Sequence, residues 1–230
     1  MKKALFLLLV ALGMLLNTAC ENEPHKVITY ITTPEVQAKI YGGLAGTYSG
    51  KLIVVMEDTA KHVIKNEEGT WVKQAMRDSV PNYTYVVEGL NRQRITLEKF
   101  PFKWLSRVVS DAELREALKT CPDTPLTIDY ELHGDPLAPN SHQGTLSYTP
   151  QPVSFDVVLA GTTHRVTVEF TNSLRSLIDA DDPENWRIGS LQMEVSKVLV
   201  DGELIESFDD AWTKLPTPLF LIHLWGEKVE

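Results

Sequence analysis

The chain has 230 residues, 43% of them apolar, and carries 22 lysines and arginines against 31 acids, a formal net charge of −9. That charge repels phosphate backbones and anionic lipid headgroups, and no basic cluster overrides it locally, so nucleic-acid binding is disfavoured. Two cysteines, Cys20 and Cys121, are too few for the disulfide framework of a small secreted domain, so stability must come from a hydrophobic core.

Residues 1–19 open with Lys2 and Lys3, continue as an apolar run from 4 to 16 broken only by Gly13, and end in Asn17-Thr18-Ala19 before Cys20. The run is too short to span a bilayer, which takes about twenty apolar residues, and small Ala19 suits a signal peptidase. This is the pattern of a lipoprotein signal peptide, with Asn17 where such signals usually place leucine. Cleavage would make Cys20 the first residue, acylated and therefore a membrane anchor instead of a thiol. It would also remove two lysines and no acid, leaving 20 basic against 31 acidic side chains, about −11. The expected location is the bacterial cell envelope, anchored to the outer membrane on its periplasmic face or at the cell surface.

Residues 20–32 read as the lipidated cysteine and a tether, with Glu21, Glu23 and Pro24 and little apolar periodicity. Such a segment, if flexible, reaches roughly 5–6 Å times the square root of its length. A single β-rich domain is expected over 33–230, with two related halves as the alternative. Thr33-Pro34-Glu35 predicts a short helix with Thr33 as N-cap and Pro34 at the first helical position, stopped by Gly42 or Gly43. Strand patterns then dominate at 51–56 (KLIVVM), 83–88 (YTYVVE), 94–98 (RITLE), 126–133, 144–148, 153–160, 164–170, 191–200 and 203–208. Asp201-Gly202 between the last two is a hairpin signal, because a type I′ turn needs positive φ at both central residues. Ser110-Asp111-Ala112-Glu113 reads as a capping box opening a helix whose stripe is Leu114, Ala117 and Leu118. The apolar run 219–225 reads as a closing strand that must be buried. The expected fold is mainly β: an antiparallel sandwich or partly closed barrel with one or two short helices packed on it.

Arg94-Ile95-Thr96-Leu97-Glu98 is echoed by Arg165-Val166-Thr167-Val168-Glu169. Two related halves would produce the echo, and so would chance likeness between alternating strands.

The stretch Leu44-Ala45-Gly46-Thr47-Tyr48-Ser49-Gly50-Lys51-Leu52, the Phe-Pro of Ile95-Thr96-Leu97-Glu98-Lys99-Phe100-Pro101 and the helix from Asp111 to Leu118 carry a resemblance. So do the segment from Pro152-Val153-Ser154-Phe155 to Val168-Glu169-Phe170 and the Asp201-Gly202 hairpin. Together they resemble a family of Bacteroidota envelope lipoproteins of unknown function. The resemblance implies an envelope lipoprotein with a β-rich domain, and it brings no catalytic set or cofactor.

Chemistry-bearing patterns are sparse. Gly46-Thr47-Tyr48-Ser49-Gly50 lacks the spacing of a nucleophile elbow and leads into a strand, so its glycines are read as shaping a bend or bulge. Cys121 follows a helix C-terminus, where the dipole raises a thiol pKa, and reads as a small apolar residue more readily than as a nucleophile served by His133 or His142. A loop-borne site of His133, Asp135 and His142 is conceivable. The acidic cluster Asp179, Asp181, Asp182 and Glu184 is the candidate for a hard cation such as calcium, against a solvated turn. Among the five tryptophans, Trp104 and Trp225 lie in apolar surroundings and are expected buried. Trp71 and Trp186, in polar contexts, are the candidates for ligand contact. The function expected is a non-enzymatic binding domain for a small ligand, a glycan or an envelope protein. The alternatives are a hydrolase using carboxylates brought together by the fold, and a structural or adhesive component.

Overall fold

The computed structural model describes residues 30–57, 63–65, 71–73, 76–134, 140–171, 176–183, 188, 191–208 and 219–229. Thr33 caps the first helix, α1 (Pro34–Leu44), its Oγ1 accepting from Val36 N at 3.4 Å. The helix runs through Gly42 and Gly43, which were expected to stop it, because Ile40 and Leu44 are locked in the core and outweigh the roughly 1 kcal/mol that each helical glycine costs.

The strands follow as β1 (Gly46–Glu57), β2 (Val63–Lys65), β3 (Trp71–Lys73), β4 (Met76–Glu88), β5 (Arg94–Phe100), β6 (Thr124–Gly134) and β7 (Gln143–Pro150). Then come β8 (Val153–Leu159), β9 (Thr162–Thr171), β10 (Ser176–Asp179), β11 (Leu191–Val200), β12 (Glu203–Ser207) and β13 (Leu219–Val229). β2 and β3 form a separate hairpin. The rest make one antiparallel sheet in the order β10-β7-β6-β5-β4-β1-β13-β11-β9-β8, with β12 paired to β11. This sheet curls into a half-barrel, and β8 and β9 approach β6 and β7 across it. Both two-residue hairpins here are left-handed: Asp201 and Gly202 have φ of 50° and 85°, and Ala160 and Gly161 have φ of 46° and 83°.

Alternation assigns the faces. Leu52, Val54 and Met56 of β1, Ile128, Tyr130 and Leu132 of β6, and Ile222 and Leu224 of β13 all point into the core. Between β5 and β6 the chain makes a 3-10 segment (Phe102–Arg107) and then α2 (Ala112–Leu118), which packs on that segment and on β8. Phe102 seats against Phe155 at 5.1 Å between ring centres, closing the core between the arms of the sheet. The N-cap of α2 is Asp111, whose Oδ1 accepts from Leu114 N at 2.8 Å, and not Ser110 as the capping-box pattern suggested. Ser110 instead donates from N and Oγ to Glu206 Oε2 on β12, at 2.8 and 2.6 Å. A remote carboxylate has taken the hydroxyl, and the adjacent aspartate caps.

β13 lies between β1 and β11 and pairs with β1 from Thr47↔Val229 to Glu57↔Leu219. Gly50 sits opposite Gly226 in this ladder. A Cβ on Gly50 would overlap the Trp225 carbonyl, and one on Gly226 would lie 2.7 Å from Tyr85 Oη. On its other side β1 pairs with β4 through a bulge: Gly50 faces Tyr83 and Lys51 faces Pro81, leaving Asn82 as the extra residue, at φ 54°. Asparagine tolerates that left-handed geometry better than most residues. The bulge keeps Val80 and Asp78 on the same face as Tyr83 and Tyr85 despite the change of parity.

Gly50→Ala should therefore cost about 3 kcal/mol, the upper part of the overpacking range, read as a lower urea midpoint at unchanged slope. Gly161→Ala, where nothing lies within 4 Å of the added carbon, should cost only the strain of a positive φ and melt closer to the parent.

Candidate functional site

On the outer face of the sheet the pairing sets Trp225, Lys51 and Pro81 in one row across three neighbouring strands. Trp225 is 63% exposed, a correction to its expected burial. The run 219–225 is a strand and not an all-round buried segment, so Ile222 and Leu224 take the core and the intervening Trp225 takes solvent. Its ring borders a shallow cleft of about 510 Å³ whose walls include Ser49, Lys51, Ile53, Asn82 and Glu227. An apolar indole face ringed by hydroxyl, amide, ammonium and carboxylate groups can stack a flat apolar surface and bond its polar rim.

A second cleft, of about 740 Å³, opens where β4 and β5 part. These strands pair only at Val86↔Thr96, Val87↔Ile95 and Glu88↔Arg94. Below that point Tyr83 and Thr84 on β4 and Glu98 and Lys99 on β5 line the gap, with Lys103 and Asp123 at its rim. One wall is fixed by Asp78. Its Oδ2 accepts from Trp104 Nε1 at 3.0 Å and pairs with Arg107 at 2.9 Å, while its Oδ1 accepts from Ser79 N at 2.8 Å. Trp104 is buried, as expected, and stands edge-on to Phe100.

Tyr83 is only 6% exposed, and its Oη, itself shut off from solvent, makes no hydrogen bond of ordinary geometry. Burial pushes this phenol well above its ordinary pKa, and the charges of Asp123 and Glu98 push the same way, against a nearby Lys99 backbone amide. It is therefore a neutral hydroxyl, buried behind the wall of the cleft. Asn82 lines both clefts and joins them.

Of the other residues singled out from sequence, those that are described lie outside both clefts. Cys20, Trp186, Glu184 and Asp135 lie outside the described residues, as does the side chain of Trp71, whose backbone is in β3. Asp179 ends β10, its Oδ1 accepts from Asp181 N at 3.0 Å, and Asp181 Oδ2 meets His142 Nδ1 at 2.6 Å. Asp182 follows in the same turn, its amide donating to the Asp179 carbonyl at 3.3 Å. Among the described residues no three His, Cys, Asp or Glu side chains gather as a metal ion requires. Cys121 is buried, and burial, helped by Asp123, raises its thiol to about 11, which keeps it protonated and inert at neutral pH.

A different pair does touch: His133 Nε2 lies 2.7 Å from Ser147 Oγ on the outer face of β6 and β7. Glu131 approaches the same Nε2, at 3.7 Å, so it does not stand behind the imidazole on Nδ1 as the carboxylate of a hydrolytic triad does. Nearby, Arg94 and Asp129 pair at 2.8 Å and line a polar groove of about 680 Å³ with Gln37, Tyr41 and Arg92. Neither clefts nor groove could be found from sequence, because cross-strand register assembles each of them.

An unmade bond in a buried hydroxyl is a stability cost, so Tyr83→Phe should leave the fold as stable or firmer by up to about 1 kcal/mol. Asp78→Ala, which strands the Trp104 N–H, should weaken it by about 1–3 kcal/mol; urea melts of the two variants, compared with the parent, check the opposite signs.

Comparison with curated proteins and with solved structures gives no match. A family model described as "Domain of unknown function (DUF4840)" matches residues 43–180, the span from the end of α1 through β10. That span holds the Tyr83 cleft and leaves Trp225 beyond it. Covering more than half of the 230 residues, the match makes this chain a member of the DUF4840 domain family.

Proposed function

We propose that this chain is an envelope lipoprotein of the Bacteroidota type, anchored through lipid on Cys20, whose β-rich domain binds a glycan without transforming it. The binding half rests on Trp225: a large aromatic ring left 63% exposed on a paired strand, beside a cleft rimmed with hydrogen-bonding groups. An exposed indole costs hydration free energy unless something covers it, and the C–H face of a pyranose is an apolar surface of matching size. The ring's setting on a rigid ladder also favours recognition, since it preorganises a stacking platform. The anchoring half rests on residues 1–20, where a basic start, an apolar run and Ala19-Cys20 stand in order.

Intrinsic tryptophan fluorescence tests the binding half. Neutral oligosaccharides should shift or quench the emission of the parent, and Trp225→Ala should lose that response and at least about tenfold in affinity, the scale of one lost stacking contact. An unchanged affinity in the Trp225→Ala protein would remove this surface as the site. The anchoring half is tested separately in cells fed radioactive palmitate: the parent should take label and pellet with membranes, and Cys20→Ser should do neither.

A further inference from the structure

We infer that the polar groove between α1, the β4–β5 turn and the outer face of β6 and β7 is a second binding site, separate from the Trp225 surface, and that it takes a small zwitterion: a free α-amino acid or a dipeptide whose carboxylate and ammonium are both charged. The inference stands on the groove's own residues and does not need the glycan reading of Trp225.

The groove arises because β6 outruns its neighbour. β5 begins at Arg94, opposite Asp129, so residues 131–134 of β6 have no strand beside them on that edge. The β4–β5 turn and α1 take the place of a strand only in part. The Gln93 carbonyl accepts from Tyr130 N at 3.0 Å, Tyr41 Oη accepts from Leu132 N at 3.0 Å, and a space of about 680 Å³ remains.

Two opposite charges are left open in that space. The Arg94↔Asp129 pair and the Gln93–Tyr130 bond, carried one residue further, set Arg92 across from Glu131. The first couple is closed, with Arg94 Nε on Asp129 Oδ1 at 2.8 Å. The second is not. No described residue pairs with the Arg92 guanidinium, and the Glu131 carboxylate, its side chain 73% exposed, has only His133 Nε2 at 3.7 Å, beyond hydrogen-bond distance.

One ligand chemistry completes both. A carboxylate takes the planar fork of Arg92 in two parallel hydrogen bonds, and an ammonium gives Glu131 the charge-assisted donor it lacks. From α1 the wall adds the Gln37 amide and the Tyr41 hydroxyl, whose own hydrogen goes to no described acceptor. Charge excludes the simpler ions. The lining sets Arg92 and Arg94 against Asp129 and Glu131, so a lone anion meets carboxylates as well as guanidinium groups, and a lone cation meets the reverse.

Calorimetry on the full chain, purified in detergent, tests this at neutral pH with millimolar alanine and alanyl-alanine. Each is set against its N-acetyl form, which lacks the ammonium, and its amide, which lacks the carboxylate. The parent should bind one of the zwitterions at least about tenfold more tightly than either singly charged form, and added salt should weaken that binding. Arg92→Gln should erase the preference over the amide and Glu131→Gln the preference over the acetyl form, each with an unchanged urea midpoint. Trp225→Ala should leave the binding intact. Equal heats from a zwitterion, its amide and its acetyl form, or no heat from any, would overturn the site and leave the glycan reading standing. Loss of binding in Trp225→Ala, with both groove variants silent, would overturn it too, by moving the ligand to the indole surface.

Discussion

The ladder between β1 and β13 is the constraint on which the rest of the structure depends. One arm of the sheet, β4 through β7 with β10, is attached to β1, and the other, β8, β9, β11 and β12, is attached to β13. Only this unbroken run of pairs, from Thr47↔Val229 to Glu57↔Leu219, makes the two arms one sheet. Its partners come from opposite ends of the described chain, so the loop entropy of closing it must be met before the core gains from the contact. Closure buries Ile222 and Leu224 beside Leu52 and Val54, and that apolar burial stabilises what the backbone bonds alone would leave marginal.

Two glycines let the ladder close. Gly50 and Gly226 bring the backbones of β1 and β13 together without side chains, and the space over Gly226 is taken by Tyr85. Tyr85 stacks on Tyr48 with ring centres 5.2 Å apart and donates from its hydroxyl to the Ile188 carbonyl at 2.9 Å. Tyr48 donates to the Leu44 carbonyl and Tyr130 to that of Glu88, each at 2.8 Å. Each of these three phenols is thus satisfied by a carbonyl, as buried hydroxyls require. Tyr83, on the same face of β4, is the exception. It stands where β5 has parted from β4, and its hydroxyl meets none of these carbonyls.

Much of the fold was legible because half-buried strands advertise themselves. Alternation marked β5 and β9, and Asp201-Gly202 marked the β11–β12 hairpin through a turn geometry that few residue pairs accept. Three things were hidden, each for a physical reason. The strand at 83–88 was read from Tyr83 because Pro81-Asn82 breaks the alternation. In the structure β4 runs back to Met76, since a bulge absorbs one residue and restores the face. The α2 cap moved by one residue because Glu206, far along the chain, competes for Ser110. Trp225 was placed inside because an apolar run shows hydrophobicity but not which face of a strand each residue takes. The clefts were invisible for a stronger reason: they are made by register shifts and by two strands that stop pairing, which are properties of neighbours and not of any one segment.

The same geometry sets how a tethered domain would present its site. The chain enters α1 at one end of the sheet: Tyr41 Oη accepts from Leu132 N at 3.0 Å, Lys228 Nζ donates to the Gly43 carbonyl at 3.0 Å, and Gly89 is pressed against the Tyr41 backbone. Asp78 and Trp104 belong to the other part of the cleft, ten residues down β4 from Glu88. At about 3.3 Å per residue that is roughly 33 Å of strand. The β4–β5 opening is thus the part of the cleft set furthest along β4 from the end where the chain enters α1. Here the splay of the two strands occurs at the far end of β4, clear of the contacts that seat α1.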